Sequence, residues 1–368
     1  MTDESRRDAT EVRGGRSAEL PERAEMTEWL ARRLGAAHLS IDGLSDAPLN
    51  GASNETLIVD TTWTGIDGDD HAESFVVRRP PKSFPLFHRY DLEQQYRTME
   101  ALAGSEVPVP PLVGLELDPG VIGEPFYVMR KVEGRPPPDL PPFTAIGWVL
   151  ESSPDDQAAL YAQSIEMLAR VHRLDLARID VDFLRTRETT SGFGDQFAAT
   201  ERWYRWAAEG EPQPVLDATL EWLRAHRPSD PPDECLNWGD ARIGNMLYRG
   251  LEPVVVLDWE MAAIGPAEVD LGWWLFLNRH HTEGMGLAPL PGFPDDGTTV
   301  SMYSEALGRP ARDVFYYDVL GGFRFGIIVL RAARRLALEG ALPPGSNYAR
   351  ANGATRLLAQ MLDLPEPG

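Results

Sequence analysis

The sequence predicts an α+β fold in two lobes, a small antiparallel β lobe with one helix followed by a larger, mostly helical lobe. Three observations carry that expectation. Alternation of apolar and polar residues with a period of two is confined to the first third of the chain, whereas helical periodicity dominates after the Pro-rich stretch Gly134 to Pro142. At 368 residues the chain exceeds the size at which one hydrophobic core usually keeps growing, and its 43% of hydrophobic residues is enough for a substantial interior. The expected organisation is a disordered tail over 1–24, a first lobe over 25–133 and a second lobe over 134–368.

Residues 1–24 alternate acids, arginines and small polar groups and offer nothing to bury. Trp29, Leu30 and Leu34 then fall at helical spacing. Strands are expected over 55–63 and 73–79, joined by a turn at 65–70, and over 112–116 and 126–132, with a helix over 90–103 between the two pairs. Beyond the proline run, helices are expected over 155–174, 196–208, 215–226, 268–279, 300–307, 312–339 and 346–362. The hairpin over 246–257 is the one β element expected among them.

Composition narrows the function. The formal charge of -22, from 35 basic against 57 acidic residues, opposes nucleic acids and anionic membranes and would suit a cationic small-molecule substrate. The single cysteine, Cys235, lies in an apolar run and excludes an intrachain disulfide, which fits a reducing, cytoplasmic setting. No zinc-type His/Cys spacing, no Gly-x-Ser-x-Gly elbow and no Gly-x-Gly-x-x-Gly after a strand is present.

The chemistry is written in Trp238-Gly239-Asp240-Ala241-Arg242-Ile243-Gly244-Asn245, a hairpin, and Asp258-Trp259-Glu260. Protein-kinase catalytic loops place an Asp five residues before an Asn, and a strand-end Asp follows; the first takes the acceptor's hydroxyl proton and the other two hold magnesium. Asp240, Asn245 and Asp258 keep that order and spacing. Magnesium needs only one or two such side chains beside phosphate oxygens. Arg242 stands where a cation can meet the moving phosphoryl group.

On these residues the chain resembles the aminoglycoside phosphotransferase and choline kinase superfamily over about residues 40–335. The resemblance implies a bilobal protein-kinase-like fold with ATP or GTP and Mg²⁺ in the cleft, and a small hydroxylated molecule as acceptor. It implies that Asp240 is the catalytic base, that Asn245 and Asp258 are the metal ligands, and that Glu260 is a neighbouring acid. Asp270 would brace the catalytic loop. Ser53 and Asn54 would sit in the nucleotide loop, Arg78 would hold the nucleotide phosphates unless Arg79 does, and Met129 and Lys131 would line the base.

Three positions depart from the pattern. Trp238 stands where most of the family has His and offers one N–H donor. Gln95 falls at the helix position of the acid that pairs with the strand cation, with Glu93 about 200° away round the helix. Position 78 is Arg rather than Lys, which favours a bidentate phosphate contact. The first two motivate an alternative, a non-catalytic nucleotide- or metabolite-binding protein on the same fold; a metal-dependent hydrolase is a third reading. Elsewhere, His172 is expected to be a satisfied core histidine, Trp273-Trp274 to be core, and His280-His281 to be a solvent-facing helix end.

Overall fold

The computed structural model describes residues 23–46, 54–81 and 84–368. Ser53 and nearly all of the expected tail lie outside the described residues; the last two tail positions, Arg23 and Ala24, open a helix. The chain divides into two compact units, one formed by 1–48, 55–79 and 113–131, the other by 49–54, 80–112 and 132–368.

The first unit is a five-stranded antiparallel sheet with a helix against one face. Helix α1 (Arg23–Leu34) leads into β1 (Ala36–Asp46), followed by β2 (Glu55–Gly65), β3 (Asp70–Arg79), β4 (Leu112–Glu116) and β5 (Phe126–Arg130), in the order β1-β2-β3-β5-β4. Alternation sets the register. Leu57 faces Val77 and Val77 faces Val128, so the inward positions of three strands stack. Met26, Trp29 and Leu30 of α1 close this core against Ile41, Val59, Phe75 and Phe126, and the Trp29 indole N–H donates to Glu116 at 2.9 Å. Strand β1 is an addition to the expected set. It carries an irregularity between Ile41 and Gly43 that breaks the alternation a sequence reading depends on.

The second unit is helical around a second core. Helix α2 (Leu92–Leu102), expected as the helix of the first lobe, packs with this unit; Asp91 caps it and Gln94 reaches the Ala262 carbonyl. There follow α3 (Trp148–Glu151), α4 (Pro154–Arg173), α5 (Gly192–Ala208), α6 (Pro214–Ala225), α7 (Glu268–His280), α8 (Asp296–Leu307), α9 (Val314–Leu338) and α10 (Gly353–Met361). Helix α4 starts where the sequence signals it, with a Ser153 cap and Pro154 in the first turn. Helix α7 is buried on all sides from Glu268 to Leu277, the pattern of a central helix.

Two small sheets sit among these helices. The expected hairpin forms from β7 (Met246–Arg249) and β8 (Glu252–Val256), and β6 (Glu234–Asn237) pairs with β9 (Ala263–Pro266). The hairpin is therefore not the only β element of this half. Among the described residues no helix is long and apolar enough to cross a membrane.

Candidate active site

Strand β6 delivers the chain to Trp238, and a sharp turn at Gly239 (φ +93°) redirects it. A Cβ here would lie 2.1 Å from the Met261 carbonyl oxygen, so the turn requires glycine on both conformational and steric grounds. The turn is held from outside. The fully buried Asp270, in the first turn of α7, accepts the Trp238 amide at 2.6 Å with one oxygen and the Gly239 amide at 3.0 Å with the other. Charge-assisted bonds of this kind are about twice as strong as neutral ones. His172 of α4 donates through Nε2 to the same carboxylate at 2.9 Å, and its Nδ1 then accepts from the Tyr303 hydroxyl of α8. Asp270 thus braces the loop, and His172 is a satisfied core histidine.

Asp240 emerges from this turn as the focus of several donors. The Trp273 indole donates to Oδ1 at 3.0 Å, the Asn245 amide to Oδ2 at 2.6 Å, and Arg242 Nε to both oxygens at 3.1 and 3.0 Å. Burial pushes the Asp240 carboxyl above the usual carboxylate range, Arg242 opposes that, and the nearby Asp258 charge adds to it. Arg242 is clamped, since its other end binds Asp139. That places its guanidinium between two carboxylates, which hold it protonated.

The hairpin brings Asp258 to the same place. Pairing of Met246 with Val256, and of the Leu257 amide with the Asn245 carbonyl at 2.8 Å, sets the two expected metal ligands side by side. Trp238 ties its own loop to this strand through a 2.7 Å bond from its indole to the Leu257 carbonyl. Asp258 adopts φ 59°, a left-handed conformation that costs a non-glycine residue on the order of 1 kcal/mol and is found where function demands a direction. The Asn245 amide nitrogen faces two acceptors, the carbonyl and carboxylate of Asp240, which leaves its Oδ1 as the end suited to a cation. Among the described residues no cluster of three or more His, Cys, Asp or Glu is arranged for a metal. A site completed by phosphate oxygens does not need one.

The other expected residues fall as follows. Asn54, in the second unit, donates to Glu260 at 2.7 Å, so the nucleotide-loop residue and the neighbouring acid are joined. In the first unit Arg79 is bound by Glu55 and Glu124, while Arg78 meets the Thr56 hydroxyl at 3.1 Å. Met129 is buried on β5, and the Lys131 amide donates to the Ser74 carbonyl, which commits it to the sheet. Gln95 is buried on α2 and Glu93 is exposed.

Four residues of the site escape a sequence reading. Asp139 is the one acid within the proline run and was not singled out, although a rigid connector presents such a side chain at a fixed place. Trp273 is core as expected, yet its N–H serves Asp240. His280 and His281 are half-buried rather than a solvent-facing helix end: burial pushes His281 down to about 4, and it feels both Asp139 and Arg242. Arg324, on α9, stacks 5.4 Å from the Trp273 ring.

Comparison with known proteins places the chain among relatives of known fold. Curated relatives include Acyl-CoA dehydrogenase family member 11 of Homo sapiens, 29% identical over 201 residues, which covers 54% of this chain and 24% of that protein. Acyl-CoA dehydrogenase family member 10 of Mus musculus is 29% identical over 206 residues, covering 54% of the chain and 18% of the relative. The chain thus spans about a quarter or less of the length of these relatives. Among solved structures, a candidate aminoglycoside phosphotransferase from Ralstonia eutropha matches with a TM-score of 0.64 at 25% identity, covering 92% of this chain and 96% of that one. Macrolide 2'-phosphotransferase MphH from Brachybacterium faecium matches at 0.52 and 20% identity over 93% and 99%, a likeness of fold. The model of the phosphotransferase enzyme family matches residues 47–293, about two thirds of the chain, and this chain belongs to that family.

Proposed function

We propose that the protein is a Mg²⁺-dependent small-molecule kinase that moves the γ-phosphoryl group of ATP or GTP to a substrate hydroxyl, in a cytoplasmic setting. The observation that carries this is the convergence of Asp240, Asn245 and Asp258, with Asp240 aimed by three separate donors. A hydroxyl oxygen of the acceptor forms the new bond to the γ-phosphorus, the bond from that phosphorus to the bridging oxygen breaks, and the nucleoside diphosphate leaves. Asp240 takes the hydroxyl proton. Arg242 keeps a fixed positive charge beside the reacting atoms, its head set by Asp240 and Asp139. Asn245 and Asp258 would hold the magnesium, which when bound neutralises phosphate charge. Arg78 is assigned to the nucleotide phosphates on the family pattern, and Ser53, Asn54, Met129 and Lys131 to the nucleotide's surroundings.

A non-catalytic binder is not favoured, since nothing in nucleotide binding calls for a carboxylate oriented by Trp273, Asn245 and Arg242 together. Asp240→Asn should reduce phosphoryl transfer by roughly 10²- to 10⁴-fold while the Mg²⁺-dependent thermal shift with ATP or GTP persists. Turnover at the wild-type rate in that variant would remove Asp240 from its role.

A further inference from the structure

One cation beside the loop of Asp240 has no hydrogen-bonded partner among the described residues. Arg324 is 7% exposed, and its Nη1 is buried without a hydrogen-bond acceptor. Among the described residues it forms neither an ion pair nor a hydrogen bond; it stacks on the face of Trp273, and it feels the Asp240 and Asp270 charges without bonding either, both of those carboxylates being taken up by other donors. The other buried or half-buried arginines named here differ. Arg331 binds Glu209 and the Pro85 carbonyl, Arg279 binds Asp296 and Asp318, and Arg242 binds Asp139 and Asp240. An arginine stays charged at any working pH, so leaving it buried and unpaired is costly and calls for an anion.

The guanidinium lines a pocket of about 240 Å³ whose wall also includes Phe87, Gln196, Trp203, Glu260 and Met261. Both carboxylates on that wall are occupied by the chain itself. Glu260 accepts from Asn54, and Asp195 accepts the amides of Arg187 and Thr189 at 2.7 Å each. Neither answers Arg324. Trp273 joins the pocket to the chemistry, because the indole whose face carries Arg324 also donates its N–H to Asp240. The aromatic and thioether walls suit a carbon skeleton.

We propose that this pocket receives the acceptor and that Arg324 binds an anionic group on it, a carboxylate or a phosphate ester, so that the substrates are hydroxylated acids. The inference rests on the kinase reading and names its acceptor class. It reverses the cationic acceptor that net charge suggests, because a charge of -22 is spread over the whole surface whereas a buried guanidinium acts at contact distance.

The test compares lactate, β-hydroxybutyrate and ω-hydroxyhexanoate with their amides, and glycerol phosphate with glycerol, on the full chain. Thermal shift and nucleotide-dependent transfer are both read. At least one acid should stabilise the protein where its neutral counterpart does not, and its KM should rise roughly tenfold to a hundredfold in Arg324→Gln with little change in kcat. Arg324→Lys should keep the preference in part. If no acid outperforms its counterpart in the wild type, or if Arg324→Gln retains the preference, the inference fails. The wild-type comparison decides even where the glutamine variant folds poorly. A missing Mg²⁺-nucleotide shift, measured without acceptor, would instead overturn the kinase reading and leave the acid-against-amide result standing on its own.

Discussion

Asp270 touches no reacting group in the proposed mechanism, yet both of its oxygens are spent on the backbone of the catalytic turn. Asp270→Asn keeps the shape but replaces one acceptor by a donor facing an amide N–H. That change should destabilise the protein by about 2–4 kcal/mol in denaturant unfolding and lower transfer more than it lowers nucleotide binding. An unchanged midpoint with unchanged transfer would show that the brace is dispensable. At this scale the sequence discloses what is local. Asp240, Asn245 and Asp258 are legible because their order and spacing are chain-local facts. Asp139, His281 and Arg324 reach the site from about forty to one hundred residues away, and only packing brings them there.

Among the elements, the crossing of α7 and α9 does the most to shape the site, since it presents Trp273 on one helix and Arg324 on the other. Two glycines make it possible. A Cβ on Gly272 would lie 2.2 Å from the Tyr317 carbonyl group, and one on Gly321 would lie 2.8 Å from the Gly272 carbonyl oxygen. Backbone cannot yield as a side-chain tip does. Gly272→Ala should therefore cost about 3 kcal/mol or more and weaken the Arg324-dependent acid preference, whereas Gly286→Ala, in a left-handed turn with open space around it, should leave that preference intact. Equal acid preference in wild type and Gly272→Ala would show that the crossing does not position the pocket. Long helices such as α4 and α9 were readable from their apolar periods, and α4 also from its Ser153 cap and Pro154. Strands β6 and β9 were not, because four residues each are too few to reveal a period, and β9 ends in Pro266.

For the whole molecule, the end of α7 makes stability depend on acid. Burial pushes His280 down to about 3 and His281 to about 4, against 6.5 for an ordinary imidazole. The unfolded chain therefore gains protons first as pH falls. Their contribution to stability is complete above pH 6.5 and is lost as pH falls from 6.5, down to about 4 for His281 and about 3 for His280. His281→Gln should flatten that loss by on the order of 1–3 kcal/mol when unfolding midpoints at pH 7 and pH 5 are compared. An equal acid-induced drop in variant and wild type would show that His281 titrates normally in the fold.

The mixed α+β class was legible through the change of period at the proline run, whereas the two compact units do not follow a single boundary there, since 80–112 packs with 132–368. That α2 belongs by packing with the helical unit was not legible, because a helix's sequence states which face is apolar and is silent about which neighbour covers it.

The brace on the catalytic turn grips main-chain N–H groups and ignores the side chains that follow them. Such a grip is indifferent to sequence at position 238, provided the replacement fills the space and finds one acceptor, as the Trp238 indole does at Leu257. Residue 239 has no such latitude. Position 238 can therefore hold a tryptophan where the family resemblance leads one to expect histidine, and the grip on the turn is unaltered by that exchange.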